Sequence, residues 1–171
     1  MAFSLDPGEC NLQLSSVVLF EVYLRMFRGN YKAKVDDKGR LKIPSAYKDW
    51  IDKTYGPEFF ITSEDGQRAT LFPLKEWEKK EALLEKMPST DRAKIDYLDV
   101  TSFYGGMATM DEQGRVLLPV ILREKAKLMG DVAVLGKQQV LEAVNFEVID
   151  QRMANPLLTD DKRIRLAEFG I

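Results

Sequence analysis

Val35-Asp36-Asp37-Lys38-Gly39-Arg40-Leu41-Lys42-Ile43-Pro44 returns later in the chain as Met110-Asp111-Glu112-Gln113-Gly114-Arg115-Val116-Leu117-Leu118-Pro119, at a constant offset of 75 positions. Across 33–48 against 108–123, five of 16 positions are identical: Ala33/Ala108, Asp36/Asp111, Gly39/Gly114, Arg40/Arg115 and Pro44/Pro119. Five more are alike in kind, among them Val35/Met110, Ile43/Leu118 and Lys48/Arg123. This is an internal duplication, and a repeat governs any reading of the fold. Two copies are too few for a solenoid. They suggest two half-units that complete one another's core.

The local chemistry of the motif can be read directly. An aspartate hydrogen-bonds its own backbone and a glycine supplies the positive-φ position, so Asp36 to Gly39 and Asp111 to Gly114 are tight turns. A short apolar strand follows each turn. Pro44 and Pro119 then stop the ladder and suit the first position of a helix. Each copy therefore runs strand, turn with Arg at its end, strand, helix.

The pattern Asp-x-x-Gly-Arg-x-x-(Ile/Leu)-Pro-x-x-x-(Arg/Lys) resembles the signature of the AbrB-like swapped-hairpin fold. Two copies in one chain, opened by Met26-Phe27-Arg28-Gly29, resemble the MraZ family over roughly residues 26–160. The resemblance implies an α+β fold: a pseudo-twofold double swapped-hairpin barrel with flanking helices. It also implies a ring-shaped homo-oligomer and contact with double-stranded DNA through Arg40, Arg115 and Arg123. Lys48 stands where the family has arginine, which keeps charge and loses the bidentate fork.

Composition sets limits on the alternatives. The chain has 171 residues and a net charge of −2, so its total charge does not point to nucleic acid. Its distribution says more. Residues 25–48 carry eight basic groups (Arg25, Arg28, Lys32, Lys34, Lys38, Arg40, Lys42, Lys48) against Asp36 and Asp37, so that window is +6 and the remainder is −8. A basic surface on an acidic body fits nucleic-acid contact, and a solvated lysine-rich hairpin would give the same count. The chain contains no histidine and the single cysteine Cys10. That removes internal disulfides, His-based nucleophilic catalysis and most zinc chemistry. No metal, cofactor or enzymatic activity is expected.

Residues 1–25 read as an N-terminal extension, either disordered or the product of an upstream start codon. Their apolar run, Leu12 to Leu24, is too short to span a membrane and lacks a secretory layout. The first repeat is assigned to 26–88, a connecting helix to 89–104, the second repeat to 105–155 and a tail helix to 156–171. Within these, Leu74 to Met87 shows Trp77, Leu83, Leu84 and Met87 at helical spacing. Ser89 is a candidate cap for the connecting helix. After Pro119 a helix is expected to turn Leu122, Ala126 and Met129 inward. Gly136 is expected to turn the chain between two strands, and Asn145 to cap the helix Phe146 to Met153.

Arg40 and Arg115 sit beside the turn glycines, and Lys38 lies within the first turn, where the second has Gln113. A guanidinium is a planar fork of donors suited to phosphate and guanine. It is equally suited to bracing the turn through Asp36 or Asp111. Gly39, Pro44, Gly114 and Pro119 are structural. The reading is a bacterial sequence-specific DNA-binding transcriptional regulator, cytoplasmic and nucleoid-associated, bound to tandem short repeats in a promoter. The resemblance implies that this promoter drives its own division and cell-wall gene cluster. The alternative is a structural or partner-binding oligomer in which the arginines only brace turns.

Overall fold

A computed structural model describes residues 26–171, so the expectation for 1–25 lies outside the described residues. The first half supplies β1 (Asn30–Val35), β2 (Arg40–Lys42), α1 (Ser45–Thr54), β3 (Glu58–Thr62), β4 (Ala69–Pro73) and α2 (Leu74–Glu85). A helix α3 (Arg92–Phe103) leads to β5 (Gly106–Thr109), β6 (Arg115–Leu117), α4 (Val120–Lys125), β7 (Gly130–Lys137), β8 (Val140–Asn145) and α5 (Phe146–Met153). A last helix, α6 (Asp160–Ala167), follows and buries none of its residues. No helix among the described residues is long and apolar enough to cross a membrane.

The strands form one eight-stranded antiparallel sheet in the order β5-β3-β4-β8-β7-β1-β2-β6. Its two end strands, β5 and β6, lie against each other, and the Asp111 amide donates to the Arg115 carbonyl at 2.9 Å, so the sheet nearly closes into a barrel. The halves are interleaved. β1 pairs along its whole length with β7 of the other half, and β3 with β5. At one end of this order β2 pairs with β6: Arg40 opposite Leu117, Leu41 opposite Val116, Lys42 opposite Arg115. Moving each residue by 75 positions turns the first pair into the third and leaves the middle one unchanged. A pseudo-twofold axis therefore passes between Leu41 and Val116. The fold is the α+β swapped-hairpin barrel that the resemblance implies.

Alternation along the short strands decides which faces are buried. Leu41, Ile43, Val116 and Leu118 have no exposed surface, whereas Arg40, Lys42, Arg115 and Leu117 face outward. Burial of an aliphatic side chain of this size is worth about 1.5–3 kcal/mol. Phe27, Tyr47, Ile51, Phe59, Ile61, Leu71, Leu122, Leu128 and Leu141 extend this core.

Several elements depart from the sequence reading. Pro44 and Pro119 are the residues just before their helices, not the first helical ones. Their carbonyls accept the amides of Lys48 (3.0 Å) and Arg123 (2.9 Å), the role expected of an N-cap carbonyl. Asp91, not Ser89, caps α3, and its carboxylate accepts from the amides of Ala93 and Lys94 at 2.9 and 3.2 Å. Asn145 caps α5 as expected, accepting from the Val148 amide at 3.2 Å. Of the apolar residues spaced along α2 only Trp77 is buried, and Leu83 is 61% exposed. Met129 is exposed and Leu128 is buried in its place. The helix ends at Lys125 and Lys127 takes a φ of 52°, so helical phase no longer applies there. Gly136 lies inside β7, and the chain reverses at Gln138 (φ 61°). The backbone of Phe27 and Arg28 crosses directly over Gly136, leaving no space for a Cβ. Glycine is needed there for close approach and not for a turn.

Candidate nucleic-acid interface

The site is built from the two turns. In the first, the Gly39 amide donates to the Asp36 carbonyl at 2.8 Å, and Gly39 has a φ of 80°. Asp36 Oδ1 accepts from the amides of Lys38 (3.0 Å) and Arg40 (2.8 Å). Asp36 Oδ2 accepts from Arg40 Nε at 2.8 Å and lies 2.7 Å from Nη2. In the second, the Gly114 amide donates to Asp111 O at 2.8 Å, and Gly114 has a φ of 72°. Asp111 Oδ1 accepts from the Arg115 amide at 2.9 Å, and Oδ2 from Arg115 Nε at 2.8 Å. Both arginines therefore brace their turns. Arg40 engages Nε and Nη2, and Arg115 engages Nε, so each guanidinium has N–H donors beyond those given to its aspartate.

The carboxyls respond as this geometry requires. The side-chain hydrogen bond from Arg40 is the largest influence holding Asp36 below the usual carboxylate value. At Asp111 burial pushes upward, but the backbone and side-chain bonds from Arg115 outweigh it, and the carboxyl is again lowered.

The strand exchange brings each half's helix to the other half's turn. Arg123 of α4 lies over Gly39, where its guanidinium occupies the space a Cβ would take. Lys48 of α1 lies over Gly114 in the equivalent way, its stem 2.9 Å from the position of a Cβ there. Both glycines are buried as a result. The Ile43 amide donates to the Gly114 carbonyl at 2.8 Å and the Leu118 amide to the Gly39 carbonyl at 3.0 Å, which fixes the two turns at opposite ends of the β2/β6 ribbon. Lys48 is ion-paired with Asp52, and that hydrogen bond is the main reason its ammonium is held above the usual lysine value.

One residue outside the candidate set joins the site. Lys42 Nζ donates to the Gln113 carbonyl, so a cation of the first half reaches the second turn. By sequence position the first turn, with Lys38, is the more basic. In space the first turn gathers Lys38, Arg40 and Arg123, and the second gathers Lys42, Lys48 and Arg115. The signal that could have located Lys42 was its place in a strand directly across from Arg115, and only the β2/β6 register reveals that. Lys32 and Lys34 lie elsewhere. They face Asp131 at 2.7 and 4.0 Å, and Lys32 also lies over the Phe146 ring. Among the described residues no group of three or more acidic, cysteine or histidine side chains is placed to hold a metal ion.

The comparisons with known proteins agree with this architecture. A family model described as "MraZ protein, putative antitoxin-like" matches residues 26–99 and 107–166, one segment for each half. A transcriptional regulator MraZ of Acidobacterium capsulatum is 52% identical over 147 residues, 85% of this chain and the whole of the relative. One from Koribacter versatilis is 41% identical over the same shares, and one from Caldicellulosiruptor saccharolyticus is 32% identical over 149 residues, again 85% of this chain and all of the relative. With both repeats matched and their turns related by the pseudo-twofold axis, the chain belongs to the MraZ family.

Proposed function

We propose that this protein is a sequence-specific DNA-binding transcriptional regulator that grips the duplex with the outer face of the β2/β6 ribbon and its two turns. One observation carries the reading: each end of the two-stranded ribbon gathers three cations drawn from both halves, and the outward ribbon residues between them, Arg40, Lys42, Arg115 and Leu117, include no acid, while the turn carboxyls Asp36 and Asp111 are bound by arginine. From Gly39 to Ile43 the ribbon advances four residues, roughly 14 Å at about 3.4 Å per residue. A major groove about 12 Å wide admits such a ribbon. Its end cations then fall near the phosphates on either side, and the remaining guanidinium donors of Arg40 and Arg115 face the bases or the backbone. Lys38, Lys48 and Arg123 supply phosphate contacts, with Lys42 beside them.

Bracing and recognition are compatible roles. A guanidinium held by its own aspartate is oriented before DNA arrives, which lowers the entropy cost of ordering it. The names of the relatives, transcriptional regulators, support the same reading. The role proposed is binding, not catalysis, in the cytoplasm at the nucleoid. By family resemblance the target is tandem short repeats in the promoter of the protein's own division and cell-wall gene cluster, bound by a ring of copies. Linked sites raise a modest single-site affinity through effective concentration.

The deciding experiment is footprinting on the protein's own upstream DNA, with affinity measured against salt. For six phosphate contacts, log K should fall against log salt with a slope of about −5. The second reading, an oligomer whose arginines serve only as braces, rests on the Asp36–Arg40 and Asp111–Arg115 pairs. It predicts no protected region, even at low salt.

A further inference from the structure

The pseudo-twofold axis exposes one mismatch on the proposed DNA face. The outward residues of the ribbon are Arg40, Lys42, Arg115 and Leu117, and the axis exchanges Arg40 with Arg115 and Lys42 with Leu117. Leu117 therefore stands where symmetry would place a cation. It is 55% exposed and lies directly across from Arg40. The same shift recurs after the proline, where exposed Val120 and Ile121 replace Ser45 and Ala46. A leucine surrounded by arginines neither attracts phosphate nor fills a core.

We propose that Leu117 is a specificity determinant that packs against the C5 methyl of a thymine in the major groove, next to the base pair addressed by Arg40. This rests on the DNA-binding reading above. Among the groups that base pairs present in the major groove, only the thymine methyl is apolar, so it is the natural partner for an exposed aliphatic side chain on a basic reading surface. A second copy docked isologously on this face would bring Arg40, Lys42 and Arg115 against their own counterparts, and like charges in apposition oppose that arrangement, while a head-to-tail contact within a ring is distinguished by the assembly-mass outcome of the test below. The inference also gives the pseudo-symmetric ribbon a direction. The Lys42 corner reads backbone charge, and the Leu117 corner reads a methyl group, so an asymmetric half-site is bound in one orientation.

The test replaces each thymine of the footprinted site in turn by deoxyuridine, which removes only the methyl group, and measures affinity by fluorescence anisotropy. Wild type should lose about fourfold at one position, the value of one buried methyl. The variant Leu117→Ala should bind the thymine duplex as weakly as wild type binds the uracil one, and should not sense the replacement. The exposed position keeps the fold intact, which a melt verifies. Wild type binding every uracil duplex as tightly as the parent would overturn the inference while leaving the DNA reading in place. So would a Leu117→Ala variant that still sensed the methyl. Loss of assembly mass in Leu117→Ala without any methyl effect would instead make this corner a contact between copies, which also overturns the inference. No binding by wild type to any duplex would defeat the DNA reading itself.

Discussion

Gly39→Ala tests the exchange of helices between halves more directly than deletion of a cation does. Two separate things happen at that position. The backbone has a φ of 80°, which costs an L-residue about 1–2 kcal/mol. The added methyl also enters the space filled by the Arg123 guanidinium, the far end of a flexible side chain from the other half. That side chain can move, so the clash should cost position more than stability. The melting temperature should fall by about 2–8 °C at fixed protein concentration, from that strain and about 2–4 °C per kcal/mol. The strain should be the same whether or not Arg123 is present. DNA affinity behaves differently. Gly39→Ala displaces Arg123, and Arg123→Ala removes it, so each should lose the same phosphate contact and about one unit of salt slope. The double variant should then bind no worse than either single one, because residues that share one contact are not additive. The measurement is a double-mutant cycle in anisotropy, with urea or thermal melts on all four proteins. Binding losses that simply add would refute the placement of Arg123 over Gly39, and with it the crossed arrangement of the site.

The other expectations follow from the same geometry. Asp36→Asn and Asp111→Asn should destabilise the protein at neutral pH and not in acid. Both carboxyls are lowered in the folded state, so their contribution is complete above the unfolded value of about 3.9 and is lost as pH falls through the folded one. A wild-type-to-variant gap that stayed constant from pH 7 to pH 2 would contradict the brace. Arg40→Ala and Arg115→Ala should weaken nonspecific binding by similar amounts, since each turn gathers three cations; a purely local effect of Lys38 would make Arg40→Ala clearly the worse. Phe27→Ala should cost about 3–5 kcal/mol. The ring is 2% exposed, lies edge-on to Tyr47 at 5.4 Å, and belongs to a segment hydrogen-bonded to Gln138. A loss below about 1 kcal/mol in urea unfolding would show that this segment is not part of the barrel.

What could be read in advance was the chemistry that closes within a few residues. An Asp–Gly–Arg turn is complete in itself, because the aspartate holds the amide of the arginine four positions on, and both copies form it in the same way. The short apolar strand expected after each turn is likewise present, and alternation along it buries Leu41, Ile43, Val116 and Leu118. The failures share a cause, which is that the deciding neighbour lies far away in sequence or the local period has already ended. Gly136 looks like a turn glycine until the backbone of Phe27 and Arg28 is laid over it. Met129 continues the helical spacing, but the chain has already left the helix at Lys127. Leu83 keeps an apolar period with no core of its own to face. Distant neighbours also explain why the site's residues could be named but not grouped. Arg40 and Lys48 lie eight positions apart in one motif, yet Lys48 serves the turn of Arg115 and Arg123 serves the turn of Arg40. Each basic cluster thus takes its turn from one half and its helix cation from the other. An isolated half would lack both the pairing partner of its β-ribbon and part of each cluster. Folding and assembly of the proposed DNA face are therefore one event, and a substitution that loosens the exchange should reduce stability and binding together.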